Sequence, residues 1–146
     1  MECRFALMIE SAMQQVNTSG LSLPVSGRIG VIVYLAIGNV SSSLALNGYG
    51  VQTVGGNKLP TLKISNRGTA HGRLEGFVDA TDADGKVFTM TPSSLPILPG
   101  EERELVLNFQ DAGKDKKSPA PRYPIALHGR VYDGHAPIEI NTTFSP

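Results

Sequence analysis

One cysteine, Cys3, is the whole supply of thiol in this sequence, which excludes an internal disulfide framework and any metal site built from several thiolates. Nor is there an excess of charge of either sign: thirteen Lys and Arg balance thirteen Asp and Glu. The cations are scattered, and the one basic run, Lys114 to Lys117 (KDKK), is short, contains an aspartate and sits in a polar stretch. A nucleic-acid backbone is gripped by a stripe of cations, so nucleic acid is not an expected partner. No run reaches the roughly 18 to 20 apolar residues of a spanning helix. Residues 29–37, IGVIVYLAI, are too short and too β-branched for one and belong in a sheet.

The opening residues, MECRFALMIESAM, also fail as a secretory signal: the only basic residue near the start is Arg4, and Glu2 and Glu10 bracket a short apolar run. Taken literally, that places the chain in the cytoplasm. Catalytic signatures are missing as well, with no GxSxG, phosphate-loop or dinucleotide fingerprint. His71, His128 and His135 have no metal-site spacing. Asp79, Asp82 and Asp84 in DATDADG superficially resemble a calcium loop, but the bidentate Glu at the twelfth loop position is absent, so a hairpin turn is expected there. An enzyme is therefore not expected, and nothing asks for a cofactor. Asn17, Asn39 and Asn141 each open a glycosylation-type tripeptide, which carries meaning only in a host that glycosylates.

What is present is enough apolar material for a core: 40% hydrophobic residues against 18% charged ones over 146 residues. Beyond Gly20, turn-forming residues recur every eight to twelve positions, the punctuation of an all-β sandwich. SLAL forms a weak first strand ending at a turn in NGYG, and KLPTLKISN a second that ends at Asn66-Arg67-Gly68, where asparagine and glycine can take the left-handed conformations of a tight turn. GRLEGFVDA and KVFTM make a hairpin about Asp84-Gly85, SSLPILPGEE crosses over, and ELVLNF follows with Leu105, Leu107 and Phe109 inward or Val106 opposed to them at a sheet edge. A polar loop, QDAGKDKKSPAPR, precedes YPIALHGRVYDG, where Ile125, Leu127, Gly129 and Val131 share a face, and APIEINTTF closes the set. About seven strands after residue 38 make one immunoglobulin-like β-sandwich, so residues 1–38 are surplus to it.

Residues 1–38 divide into a strand, CRFALMIE, a polar loop, SAMQQVNTS, and a second strand with Leu21, Leu23 and Val25 in alternation, then Arg28-Ile29-Gly30, then VIVYLAI. This arrangement resembles the end of the first domain of periplasmic pilus-assembly chaperones of the chaperone–usher type. In that family an aromatic residue followed by alternating apolar residues marks the penultimate strand, as in Phe5-Ala6-Leu7-Met8-Ile9. The last strand carries bulky residues in alternation, then an Arg-Ile-Lys element, and Arg28-Ile29 match its first two positions. Gly30 stands at the position of the lysine.

The resemblance implies an all-β chain with an incomplete terminal hairpin of an N-terminal immunoglobulin-like domain at 1–38 and a complete C-terminal sandwich at 39–146. It implies a truncated copy of a periplasmic parent whose signal peptide lies outside this chain. It implies a pilus or fimbrial subunit as client, with an outer-membrane usher as a second partner. Leu21, Leu23, Val25, Arg28 and Ile29 would be the donor strand, adding to the client's open sandwich. Exposed strands over residues 4–37 are expected to dimerise, swap or aggregate unless something covers them. Two other readings compete: an immunoglobulin-like structural or adhesive module of a bacterial surface protein, and a small β-sandwich enzyme or metal protein using His71, His128 and Asp82 or Asp84.

Overall fold

The computed structural model describes residues 1–18, 20–110 and 121–145, leaving the side chains of Asn17, Leu21 and Leu23 undescribed. The polar loop with its KDKK run therefore lies mostly outside the described residues. Among the described residues all regular elements are strands: β1 (Glu2–Glu10), β2 (Gln14–Thr18), β3 (Leu21–Val25), β4 (Arg28–Ala36), β5 (Leu44–Val54), β6 (Asn57–Asn66), β7 (Glu75–Thr81), β8 (Val87–Pro92), β9 (Glu102–Phe109), β10 (Ile125–Tyr132) and β11 (Pro137–Phe144). Among the described residues no helix is long and apolar enough to cross a membrane. The chain divides into two compact units, Met1–Val40 and Ser41–Pro146.

In the second unit seven antiparallel strands are hydrogen-bonded in the order β11-β10-β7-β8-β9-β6-β5. Strand β9 changes partner along its length: Glu102 to Val106 pair with β6, whereas Leu107 and Phe109 lie opposite Pro92 and Met90 of β8. That switch turns one continuous sheet into a β-sandwich-like arrangement, in which both halves deliver their apolar side chains to one core. Period-two alternation decides which side chains enter it. Leu105, Leu107 and Phe109 of β9 and Ile125, Leu127 and Val131 of β10 are buried, while Asn108, Ala126, His128 and Arg130 are exposed. The Tyr123 hydroxyl donates to the Lys58 carbonyl, and its ring packs on Phe144 with centroids 5.7 Å apart.

A buried side-chain amide ties the loops together. Asn66, 1% exposed, donates from Nδ2 to the carbonyls of Ala70 (2.8 Å) and Ile97 (2.9 Å). Its Oδ1 accepts from the N–H groups of Gly68 (2.9 Å) and Ser43 (3.2 Å), so the two donors and two lone pairs of the amide are all used. Its main chain bonds Glu101 and Gly100 in addition. A second tie comes from Asp133. Oδ1 accepts from the N–H groups of His135 and Ala136, and Oδ2 from that of Leu44 at the start of β5 (3.3 Å).

Three sequence expectations are corrected. NGYG is no turn: β5 runs through it, with a register shift between Leu46 and Gly48 that absorbs the irregularity, and the chain reverses at Gly55-Gly56 instead. The stretch SAMQQVNTS is not all loop, because Gln14 to Thr18 pair with β3. Gly68 lies outside the left-handed region; its constraint is space, since a Cβ there would sit 2.3 Å from the Ser41 carbonyl oxygen.

Replacing Asn66 by alanine strips partners from two carbonyls and two N–H groups in a buried setting. Asn66→Ala is expected to cost about 2–4 kcal/mol in urea unfolding, against under about 0.5 kcal/mol for the exposed Asn108→Ala. Similar small losses for both would show that the amide is not a structural tie.

Candidate functional site

The first unit is a long hairpin, and its register can be followed residue by residue. Strands β1 and β4 pair antiparallel from Glu2↔Ala36 to Glu10↔Arg28. At the open end the Met1 amine donates to the Ile37 carbonyl (2.8 Å) and the Ile37 N–H donates back (2.9 Å). At the other end the Ser11 N–H donates to Gly27 O, and the Gly27 N–H to Ser11 Oγ. Antiparallel pairs alternate between hydrogen-bonded and non-bonded, so the odd-numbered residues of β1 and β4 exchange the ladder bonds. The even-numbered positions of β4, among them Arg28, Gly30, Ile32 and Ala36, turn their N–H and C=O groups to the other edge. No second strand is hydrogen-bonded along that edge among the described residues.

Directly opposite residues share a face. On one face of this ribbon stand Cys3, Phe5, Leu7 and Ile9 of β1 with Leu35, Val33, Val31 and Ile29 of β4, all apolar. The other face is mixed: Glu2, Arg4, Ala6, Met8 and Glu10 oppose Ala36, Tyr34, Ile32, Gly30 and Arg28. The apolar face stays in water, with Val31 42% and Ile29 63% exposed and Phe5, Leu7, Ile9 and Leu35 between them. An alternation apolar on both sides, as in residues 29–37, is expected of a strand buried on both faces. Here Ile32 on the opposite face is exposed too. A ribbon of two strands has no second layer to bury either side.

The proposed donor residues fall along this hairpin. Leu21, Leu23 and Val25 occupy alternate positions of β3; Val25 is half-exposed, and the side chains of Leu21 and Leu23 lie outside the described ones. Arg28 pairs with Glu10 across the ribbon at 2.7 Å, with both groups well exposed, a contact worth about 0–1 kcal/mol. Ile29 belongs to the apolar face. Between Glu10↔Arg28 and Gln14↔Val25, three residues of one arm oppose two of the other, so the extra residue bulges from the first arm. The extra residue lies in neither β3 nor β4, which Ser26 and Gly27 separate. The four apolar partners in β1 were not among the sequence candidates, although the alternation in RFALMIE was the signal that could have found them.

Of the acidic and histidine candidates, only His128 and Asp79 stand directly opposite one another. Among the described residues no three of His, Cys, Asp and Glu gather in a metal-binding arrangement. Asp82 is consumed by its turn: Oδ1 accepts from the N–H groups of Asp84 (3.0 Å) and Lys86 (2.9 Å), and Oδ2 from that of Arg122 (3.4 Å). Asp84 pairs with Arg122. His128 stands on β10 between Asp79 of β7 and Asn141 of β11, His135 lies in the β10–β11 turn, and His71 adjoins Gly72, whose backbone pairs with Ile97. Compared with protein-family models, curated proteins and solved structures, the chain matches none.

Burial pushes the Asp82 carboxyl up, but the N–H groups of Lys86, Arg122 and Asp84 outweigh it and hold the group below the usual carboxylate range. Asp133 is likewise lowered: burial raises it, and the N–H groups of Ala136, His135 and Leu44 more than offset that. A carboxyl depressed by folding stabilises above its unfolded value of about 3.9 and loses that contribution as pH falls through the lower folded value. The double variant Asp82→Asn, Asp133→Asn is therefore expected to show a flatter loss of urea midpoint between about pH 5 and pH 2 than the unaltered chain. Equal acid limbs would mean that other carboxylates govern acid unfolding.

Proposed function

We propose that this protein is a periplasmic, chaperone-like binder of incomplete β-sandwich subunits, acting by strand addition, with pilus or fimbrial subunits as the client class. The observation that carries the reading is the β1–β4 ribbon: an eight-residue apolar face beside a β4 edge with no hydrogen-bonded neighbour strand among the described residues. A sandwich that lacks one strand exposes a groove of the opposite character, with an apolar floor flanked by two unpaired backbone edges. Main-chain groups of Arg28, Gly30, Ile32 and Ala36 can continue a ladder, and alternate side chains can fill the groove.

Leu21, Leu23, Val25 and Ile29 lie in one odd-numbered alternation that continues through Val31, Val33 and Leu35. A donor segment of that length can shift which anchors it uses from one client to another. Each anchor buried in a pocket contributes about 1.5–3 kcal/mol before ordering costs. Three anchors make a grip firm enough to shield the client and weak enough to be replaced by a better-fitting strand. Pro24 has no N–H, so the ladder skips one donor within β3.

Co-expression in a bacterial periplasm with a subunit lacking its own terminal strand tests this. The chain is expected to co-purify with the subunit, and a Leu21→Ser, Leu23→Ser, Val25→Ser variant to bind about 100-fold more weakly or worse, the loss expected for some 3 kcal/mol of anchoring. Absence of a complex with the unaltered chain, or an equal complex with both chains, would withdraw the chaperone reading and leave a structural module.

A further inference from the structure

The second unit carries a concave site on the outer face of β7, β10 and β11, independent of the strand-addition reading. Its floor is set by two glycines. A Cβ on Gly129 would sit 2.7 Å from the Phe77 carbonyl oxygen and 2.9 Å from Val78 Cα, and one on Gly76 would sit 2.7 Å from the Arg130 carbonyl oxygen. The strands β7 and β10 therefore approach too closely for any side chain at either position. Glycine within a strand commonly marks such an approach or a local bend. Above the pair lies a depression of about 600 Å³ that is open to solvent along most of its rim.

The register fixes what surrounds it. Arg130 is central, with Phe77 directly opposite on β7 and Glu139 directly opposite on β11. His128 and Tyr132 stand two residues to either side on β10 and point to the same face. Phe77 is 57% and Tyr132 45% exposed, although sandwich outer faces more often carry polar side chains. The two rings are diagonal neighbours, so their attachment points are about 7–8 Å apart, the width of one sugar ring. Within the cup the Arg130 guanidinium is paired with the Glu139 carboxylate at 2.5 Å, and Glu75 and Asp79 of β7, directly opposite Tyr132 and His128, put two further carboxylates at its rim.

We propose that this cup binds a neutral saccharide unit. An anion would meet three carboxylates against one guanidinium, a cation would find Glu139 already held by Arg130, and a purely apolar ligand would leave the ion pair desolvated without new partners. A pyranose satisfies both parts. Its C–H face stacks on an aromatic ring, while neighbouring hydroxyls, each both donor and acceptor, match a guanidinium edge beside a carboxylate oxygen and an imidazole. The open side leaves room for a chain to continue beyond the bound ring.

The test is an NMR titration of the ¹⁵N-labelled full chain with maltose, cellobiose, lactose and chitobiose at millimolar concentration, with benzoate and adenine as charged and flat aromatic controls. Shifts confined to residues 76–77, 128–132 and 139 are expected with at least one disaccharide. Phe77→Ala and Tyr132→Ala are each expected to weaken that binding about tenfold or more, the loss of one stacking contact. Val87→Ala, an exposed apolar position on β8 outside the cup, is expected to leave it unchanged. The same spectra report whether each variant is folded, and both aromatic positions are exposed enough for the fold to persist. No localised shift with any of the four sugars, equal binding by all variants, or binding of benzoate or adenine alone would overturn the proposal.

Discussion

The amide of Asn66 is the constraint on which the sandwich unit depends. Strands can be arranged by alternation alone, but loops at one end of a sandwich bring unpaired N–H and C=O groups into its interior, where each costs about 1–3 kcal/mol if left unmatched. Asn66 answers four of them at once, from Ser43, Gly68, Ala70 and Ile97. Its backbone fixes the approach to β9 through Glu101 and Gly100. The close fit of Gly68 against Ser41 follows from the same geometry, because the loop has to double back within reach of one side chain.

The two units solve the burial problem in opposite ways. In the sandwich, the change of partner along β9 lets a single sheet curl over its own apolar side, and Leu62, Ile64, Leu105, Leu107 and Ile140 leave water entirely. The ribbon cannot do this. It has one neighbour per strand, so its eight apolar residues line up on a surface and not in a core. Burial energy that would stabilise a larger sheet is available to whatever covers that surface, and this difference is what makes the first unit a candidate for strand addition.

Much of this was legible in the sequence, and for local reasons. ELVLNF and IALHGRVY alternate so cleanly that Leu105, Leu107, Phe109, Ile125, Leu127 and Val131 could be named as inward residues from pattern alone. The DADG turn could be named because Asp and Gly have few other uses between two β-prone runs. NGYG misled, since its glycines serve a bulge within a long strand, and composition does not distinguish a bulge from a turn. The role of Asn66 was invisible because its partners lie up to 31 residues away. For the ribbon, each strand's alternation could be read but not their relative register, which depends on one extra residue between Glu10 and Gln14. The cup on the outer face needed three strands in register before Phe77, Arg130 and Glu139 could be seen in a row.

Asp133 has a consequence for the order of events. It holds the first N–H of β5 from a position 89 residues further along the chain. Contacts of such long range form only after the intervening loop entropy has been spent, and they weigh on the rate more than on the final balance. During synthesis the leading strand of the sandwich therefore emerges long before its clasp exists. β5 can pair with β6 early, but the bond to its first N–H waits until Asp133 and the last hairpin have been made.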